Sequence, residues 1–176
     1  MNYADIKQYD VANGPGVRVS IFVSGCNHHC KGCFNKEAWD FDYGKPFTEH
    51  TIEDIISYMK PSYIKGLTVL GGEPLDPKNQ SMVWELLNRV REEYPEKSVW
   101  LFSGYDFEKD ILGKMYRESA FVRDILKWVD VLVDGKFVEE LKNLSLRFKG
   151  SSNQRTICVQ ESLEKGEIVL YDLETQ

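Results

Sequence analysis

A chain of 176 residues and 20.4 kDa has the size of one domain, long enough to remove about 70% of its unfolded surface from water. Its 42% hydrophobic and 28% charged content is that of a soluble globular protein and excludes a low-complexity chain. A formal net charge of −6 argues against a nucleic-acid surface, and no apolar run approaches the ~20 residues that span a bilayer, so neither partner is expected. Asp5, Lys7 and Asp10 stand where a signal peptide would need an apolar core. With thiols expected to stay reduced, this predicts a cytoplasmic protein.

In chain order, Asn13-Gly14-Pro15-Gly16 has turn chemistry, and Val17, Val19, Ile21 and Val23 alternate with Arg18, Ser20 and Phe22. That period of two predicts a strand with one strongly apolar face, reached through a lead-in over the first residues. At its C-terminal end comes Gly25-Cys26-Asn27-His28-His29-Cys30-Lys31-Gly32-Cys33-Phe34-Asn35. Ile52, Ile55, Ile56 and Met59 then mark an amphipathic helix, started by a capping-box-like Thr51 and Asp54 and closed by Pro61. A short strand at 67–70 leads into Gly71-Gly72-Glu73-Pro74, where glycines admit a close ligand and Glu73 offers a carboxylate to an ammonium group. Strand and helix alternate onward: a helix through Val83 to Val90, a strand at 99–102 before Ser103-Gly104-Tyr105, helical stripes through Ile111 to Met115 and Val122 to Leu126, and a strand at 129–133 before Asp134-Gly135-Lys136-Phe137. Residues 155–159 and 167–171 are two further strand candidates around a turn at Lys165-Gly166.

Three of the four cysteines fall within eight positions, spaced C-x3-C-x2-C, which gathers three thiolates around one small object, a metal centre. Structural zinc needs four closed ligands. His28 and His29 lie inside the same tight loop, where ligating their neighbours' ion would be strained, and Cys158 is far down the chain. Cysteines usually cap every iron of a protein iron–sulfur cluster, so three would leave one iron open to a small molecule. A zinc knuckle completed by Cys158 or a histidine stays open beside that reading.

C-x3-C-x2-C with Phe34 beside the last cysteine resembles the signature of radical S-adenosylmethionine enzymes, and Gly71-Gly72-Glu73-Pro74 resembles the motif that holds the methionine amino group there. Residues 13–18, 133–137 and 148–155, the last reading Phe148-Lys149-Gly150-Ser151-Ser152-Asn153-Gln154-Arg155, resemble the activating proteins of anaerobic ribonucleoside-triphosphate reductases, members of the glycyl radical activase group. The resemblance implies a [4Fe-4S] cluster on Cys26, Cys30 and Cys33, with S-adenosylmethionine on the open iron. It implies cofactor contacts from Gly32, Cys33, Phe34, Gly71, Gly72, Glu73, Asp134 and Lys136. It further implies reductive cleavage to a 5′-deoxyadenosyl radical that makes a glycyl radical on the reductase catalytic subunit, with an electron donor of the flavodoxin type. Solvated-turn roles for Asp134 and Lys136 weigh equally, and Cys158 reads as a small buried residue.

The expected fold is α/β: a partial TIM-type β/α barrel of parallel strands, 1–176 forming a single radical S-adenosylmethionine domain with a cluster loop at 25–35 and cofactor loops at 71–74 and 134–137. The distinctive loops all follow strands, which converges them on one face. An activase of the pyruvate formate-lyase type, a small-molecule radical enzyme and a zinc-binding interaction module remain as alternatives.

Overall fold

The apolar runs become neighbouring strands. In the computed structural model, which describes residues 1–173, they are β1 (Asn2–Asp10), β2 (Val17–Val23), β3 (Lys45–Pro46), β4 (Ile64–Gly71), β5 (Ser98–Phe102), β6 (Val131–Asp134) and β7 (Arg155–Cys158). They form one seven-stranded sheet in the order β3-β1-β2-β4-β5-β6-β7. The central four, β2-β4-β5-β6, are parallel. The flanking pairs β1–β2, β1–β3 and β6–β7 are antiparallel, so the expectation of parallel strands holds only for the centre. Antiparallel neighbours need no crossover helix, which is how a short chain extends the sheet at both edges.

Helices α1 (Glu49–Tyr58), α2 (Gln80–Glu93), α3 (Tyr116–Glu118), α4 (Ala120–Trp128) and α5 (Val159–Lys165) complete the fold, with a π-helical segment at Phe107–Met115 leading into α3. The residues Val19, Ile21, Leu67, Val69, Val99 and Leu101 on one sheet face share a fully buried core with Ile52, Ile55, Leu86, Leu87 and Ile125 of the helices. The period-2 and period-3.6 stripes thus meet each other. The capping box starts at Thr48, which exchanges hydrogen bonds with Thr51, one turn before the predicted start.

Three further elements depart from expectation. The lead-in is strand β1, whose exposed Lys7, Gln8 and Tyr9 hide its pairing with β2. Residues 159–165 form α5, ended by left-handed Gly166, so the predicted turn is a helix C-cap. Residues 167–171 contribute only one isolated bridge, between Leu170 and Ile157. The second face of β2 is also covered: Arg18 is fully buried, donating to Thr68 Oγ1, Ser98 Oγ and the carbonyls of Pro15, Leu67 and Ser98. Burial pushes its guanidinium down to about 10.

Candidate cluster and cofactor site

The cysteine loop leaves the C-terminal end of β2, and Gly71-Gly72-Glu73-Pro74 leaves the same end of its parallel neighbour β4, where Val23 pairs with Gly71. Gly71 has φ +112°, and a Cβ there would stand 2.6 Å from the backbone N and O of Val23, so only glycine fits between the strands. Backbone bonds from Gly72 N to Val23 O and from Glu73 N to Gly25 O, both 2.8 Å, stitch the loops together. Asn79 adds bonds from its amide to Ser24 O and Glu73 O, and Asn27 donates to Asp76 at 2.9 Å.

Cys26 is buried, Cys30 and Cys33 are half-buried, and none is in a disulfide. Burial pushes the Cys26 thiol up to about 11, partly offset by hydrogen bonds from the backbone N–H groups of His28 and His29. Burial also raises Cys30, opposed by the Phe137 backbone N–H and the Lys136 charge. The cysteine loop therefore abuts the 134–137 loop. His29 stacks on Trp39 with ring centroids 4.4 Å apart.

Glu73 is 1% exposed and its carboxylate is fully engaged within the protein. Oε1 accepts from His28 Nε2 at 2.7 Å, Gly104 N at 2.7 Å and Ser103 Oγ at 3.1 Å; Oε2 accepts from Leu75 N at 2.9 Å and Ser103 Oγ at 3.0 Å. Asp134 is likewise buried, not a solvated turn residue. It accepts from Arg155 Nε at 3.1 Å and Nη2 at 2.7 Å and from Phe107 N at 2.9 Å. Lys136 is exposed. The Gly150–Arg155 string acts as a clasp on this loop: besides Arg155, Gln154 Nε2 donates to Gly135 O and Asn153 Nδ2 donates to Lys136 O.

Beside the loops lies a cavity of about 390 Å³, lined by Phe22, Leu70 and Phe102 from three adjacent strands, by Cys33, Phe34 and Gly71, and by Phe137 and Phe148. Phe34 is 66% exposed, tilted against Phe137 at 5.1 Å, with Lys142 Nζ 4.9 Å over its ring.

A family model described as a 4Fe-4S single cluster domain matches residues 12–157. The anaerobic ribonucleoside-triphosphate reductase-activating protein of Enterobacteria phage T4 is 43% identical over 155 residues, covering 88% of this chain and 92% of the relative. The proteins of the same name from Escherichia coli (strain K12) and Pasteurella multocida are 41% and 40% identical over 156 residues, covering 88% of this chain and 96% and 95% of theirs. The chain belongs to the anaerobic ribonucleoside-triphosphate reductase-activating protein family.

The donor set suits the cluster that the 4Fe-4S family description names. Cys26 and Cys30, and Cys30 and Cys33, lie within electrostatic reach of each other, and the Cys26 thiolate is disfavoured by burial until a cation neutralises it. Among the described residues no group of three or more His, Cys, Asp or Glu stands preassembled around a metal position. Cys158 sits half-buried at the start of α5, paired with Val131 at the start of β6 and so at the opposite end of the sheet from the cysteine loop, and its thiol is raised by burial. Sequence reasoning named the cysteine loop, the Gly71–Pro74 loop and the Ser103–Tyr105 loop, which the structure brings together. It missed Arg155 as the partner of Asp134 and His28 as that of Glu73; the Gly150–Arg155 string was the available signal for the first.

Proposed function

We propose that this chain activates an anaerobic ribonucleoside-triphosphate reductase by reductive cleavage of S-adenosylmethionine. Cys26, Cys30 and Cys33 would hold a [4Fe-4S] cluster by three irons, leaving the fourth for the methionine amino and carboxylate groups. Held there, the cluster would supply the single electron that reductive cleavage of the sulfonium–C5′ bond requires, giving methionine and the 5′-deoxyadenosyl radical that would take a hydrogen atom from a glycine of the reductase. The protein's own residues provide the setting. Gly71 and Cys33 line the cavity, and Gly72 and Gly32 lie next to them in the same two loops. Phe34, with Phe22, Leu70 and Phe102, offers an apolar wall that keeps water from a reactive radical. Lys136 is free to meet the cofactor carboxylate. Asp134 and Glu73 serve the same site by holding its loops.

The whole chain, 1–176, acts on this reading as one radical S-adenosylmethionine domain, its sheet an open β/α partial barrel. An electron donor of the flavodoxin type and the reductase catalytic subunit are its cytoplasmic partners. Among the described residues no helix is long and apolar enough to cross a membrane. The observation that carries the proposal is the meeting of the cysteine loop and the Gly71–Pro74 loop at the ends of adjacent parallel strands, in a chain of this family. Electron paramagnetic resonance on anaerobically reconstituted, reduced protein mixed with S-adenosylmethionine and reductase tests it. A glycyl signal that disappears with Cys30→Ala is expected. Formation of 5′-deoxyadenosine without that signal would show the partner to be wrong, and neither product despite an intact cluster would end the proposal.

A further inference from the structure

Glu73 is expected from its motif to receive an ammonium group, yet every direction around its carboxylate is occupied by the protein. Its partners come from three different loops: His28 from the cysteine loop, Leu75 from its own loop, and Ser103 with Gly104 from the loop after β5. His28 is the one partner that lies between two cysteines. Its imidazole is 8% exposed, packs edge-on against Tyr105 at 4.5 Å, and sits so close to Gly104 that a Cβ there would stand 2.6 Å from the ring Cδ2. Burial first and the Glu73 charge second push the Tyr105 hydroxyl up to about 12, so the ring beside His28 stays neutral.

We propose that His28 is a positioning residue for S-adenosylmethionine: its Nε2–H, held on Glu73 Oε1, fixes the cysteine loop against the loop that receives the methionine amino group. The other ties between these loops end at Ser24 and Gly25, before the first cysteine, and at Asn27, directly after it, whose amide reaches Asp76 rather than Glu73. Only His28 reaches the carboxylate that also holds the third loop. Losing it leaves the cysteines able to bind iron and lets the distance between cluster and amino-group site drift. The inference rests on the cofactor reading above.

The test compares His28→Leu, which keeps bulk without a donor, with His28→Gln, whose amide Nε2 donates as the imidazole does. Iron and sulfide content and S-adenosylmethionine binding by equilibrium dialysis are measured on reconstituted protein. His28→Leu should retain iron and sulfide and bind S-adenosylmethionine about tenfold more weakly, the effect of one hydrogen bond to a charged group, while His28→Gln stays within about threefold of the unsubstituted protein. The double variant with Glu73→Gln should bind no more weakly than Glu73→Gln alone. Normal binding by His28→Leu, equal loss in His28→Gln, loss of iron in His28→Leu, or additive losses would each overturn it. In the unsubstituted apoprotein the His28 Nε2–H should give a slowly exchanging nitrogen-correlated resonance, a readout that survives if a variant does not fold; fast exchange also overturns the inference. Failure of the unsubstituted holoprotein to bind S-adenosylmethionine at all would instead remove the cofactor reading itself.

Discussion

Replacing Asp134 by Asn separates a structural carboxylate from a cofactor ligand. In the folded chain Oδ2 accepts from both Arg155 Nη2 and Phe107 N, and Oδ1 accepts from Arg155 Nε. An asparagine oxygen in the Oδ2 position keeps two of these bonds in weaker, uncharged form, while the amide nitrogen faces the Arg155 Nε–H, donor against donor. Breaking a fully buried ion pair costs about 3–5 kcal/mol. Here Arg155 is 31% exposed and keeps Glu108 at 2.7 Å, so solvent and the second carboxylate soften the loss to about 2 kcal/mol. For a chain of this size that lowers the midpoint of thermal unfolding by about 4–8 °C. Urea unfolding of the apoprotein followed by circular dichroism should show the midpoint about 1 M lower, at unchanged slope. A variant within about 0.5 kcal/mol of the unsubstituted protein would refute the clasp. If such a variant also failed to bind S-adenosylmethionine, Asp134 would be a direct ligand after all.

Gly71→Ala should be destabilised by about 2–4 kcal/mol in the same urea experiment, since the new Cβ meets backbone atoms at φ +112°; an unfolding midpoint like that of the unsubstituted protein would show the strands free to part. Cys158→Ser should hold the same iron and sulfide and be up to about 1 kcal/mol more stable, because position 158 caps α5 without a side-chain bond that serine supplies. Loss of metal from this variant would revive a four-ligand centre.

What the sequence disclosed follows from the range of the interactions involved. β2, β4 and β5 were legible because each is a short apolar run ending in turn chemistry, and the buried centre of a parallel sheet demands such runs. β1 was not, since an edge strand with exposed polar residues carries no such signature. α5 was hidden behind Arg155–Cys158: it is short, and only Val159 and Ser162 are buried, too few to display a period. The three cysteines and the Gly71–Pro74 turn could be read because each set lies within one loop. The partners of Asp134 and Glu73 could not, because Arg155 lies 21 residues beyond one and His28 lies 45 residues before the other.

The two ends of the inner sheet face differ in a way that suits the chemistry. Near the strand starts, Arg18, Ser20, Thr68 and Ser98 form a hydrogen-bonded polar layer, with Asp10 accepting from Ser20 Oγ at 2.6 Å and Thr68 Oγ1 donating to Asn13 O at 2.8 Å. Further along the same face come Phe22, two residues beyond Ser20, Leu70, two beyond Thr68, and Phe102, two beyond Trp100, and there the cavity lies beside Cys33. Side chains of one face recur every second residue, so moving along the strands by a single repeat changes the environment from polar to apolar. The polar layer closes the floor, with the Arg18 guanidinium 5.8 Å from the Trp100 ring, and Phe148 and Tyr171 pack edge-on against that ring at 5.4 and 5.2 Å. The sheet beneath the cavity is thus a filled layer, and aromatic rings stand at its side. On the proposed function, a radical formed at the cysteine end would meet the apolar walls of Phe22, Leu70 and Phe102 on the sheet side.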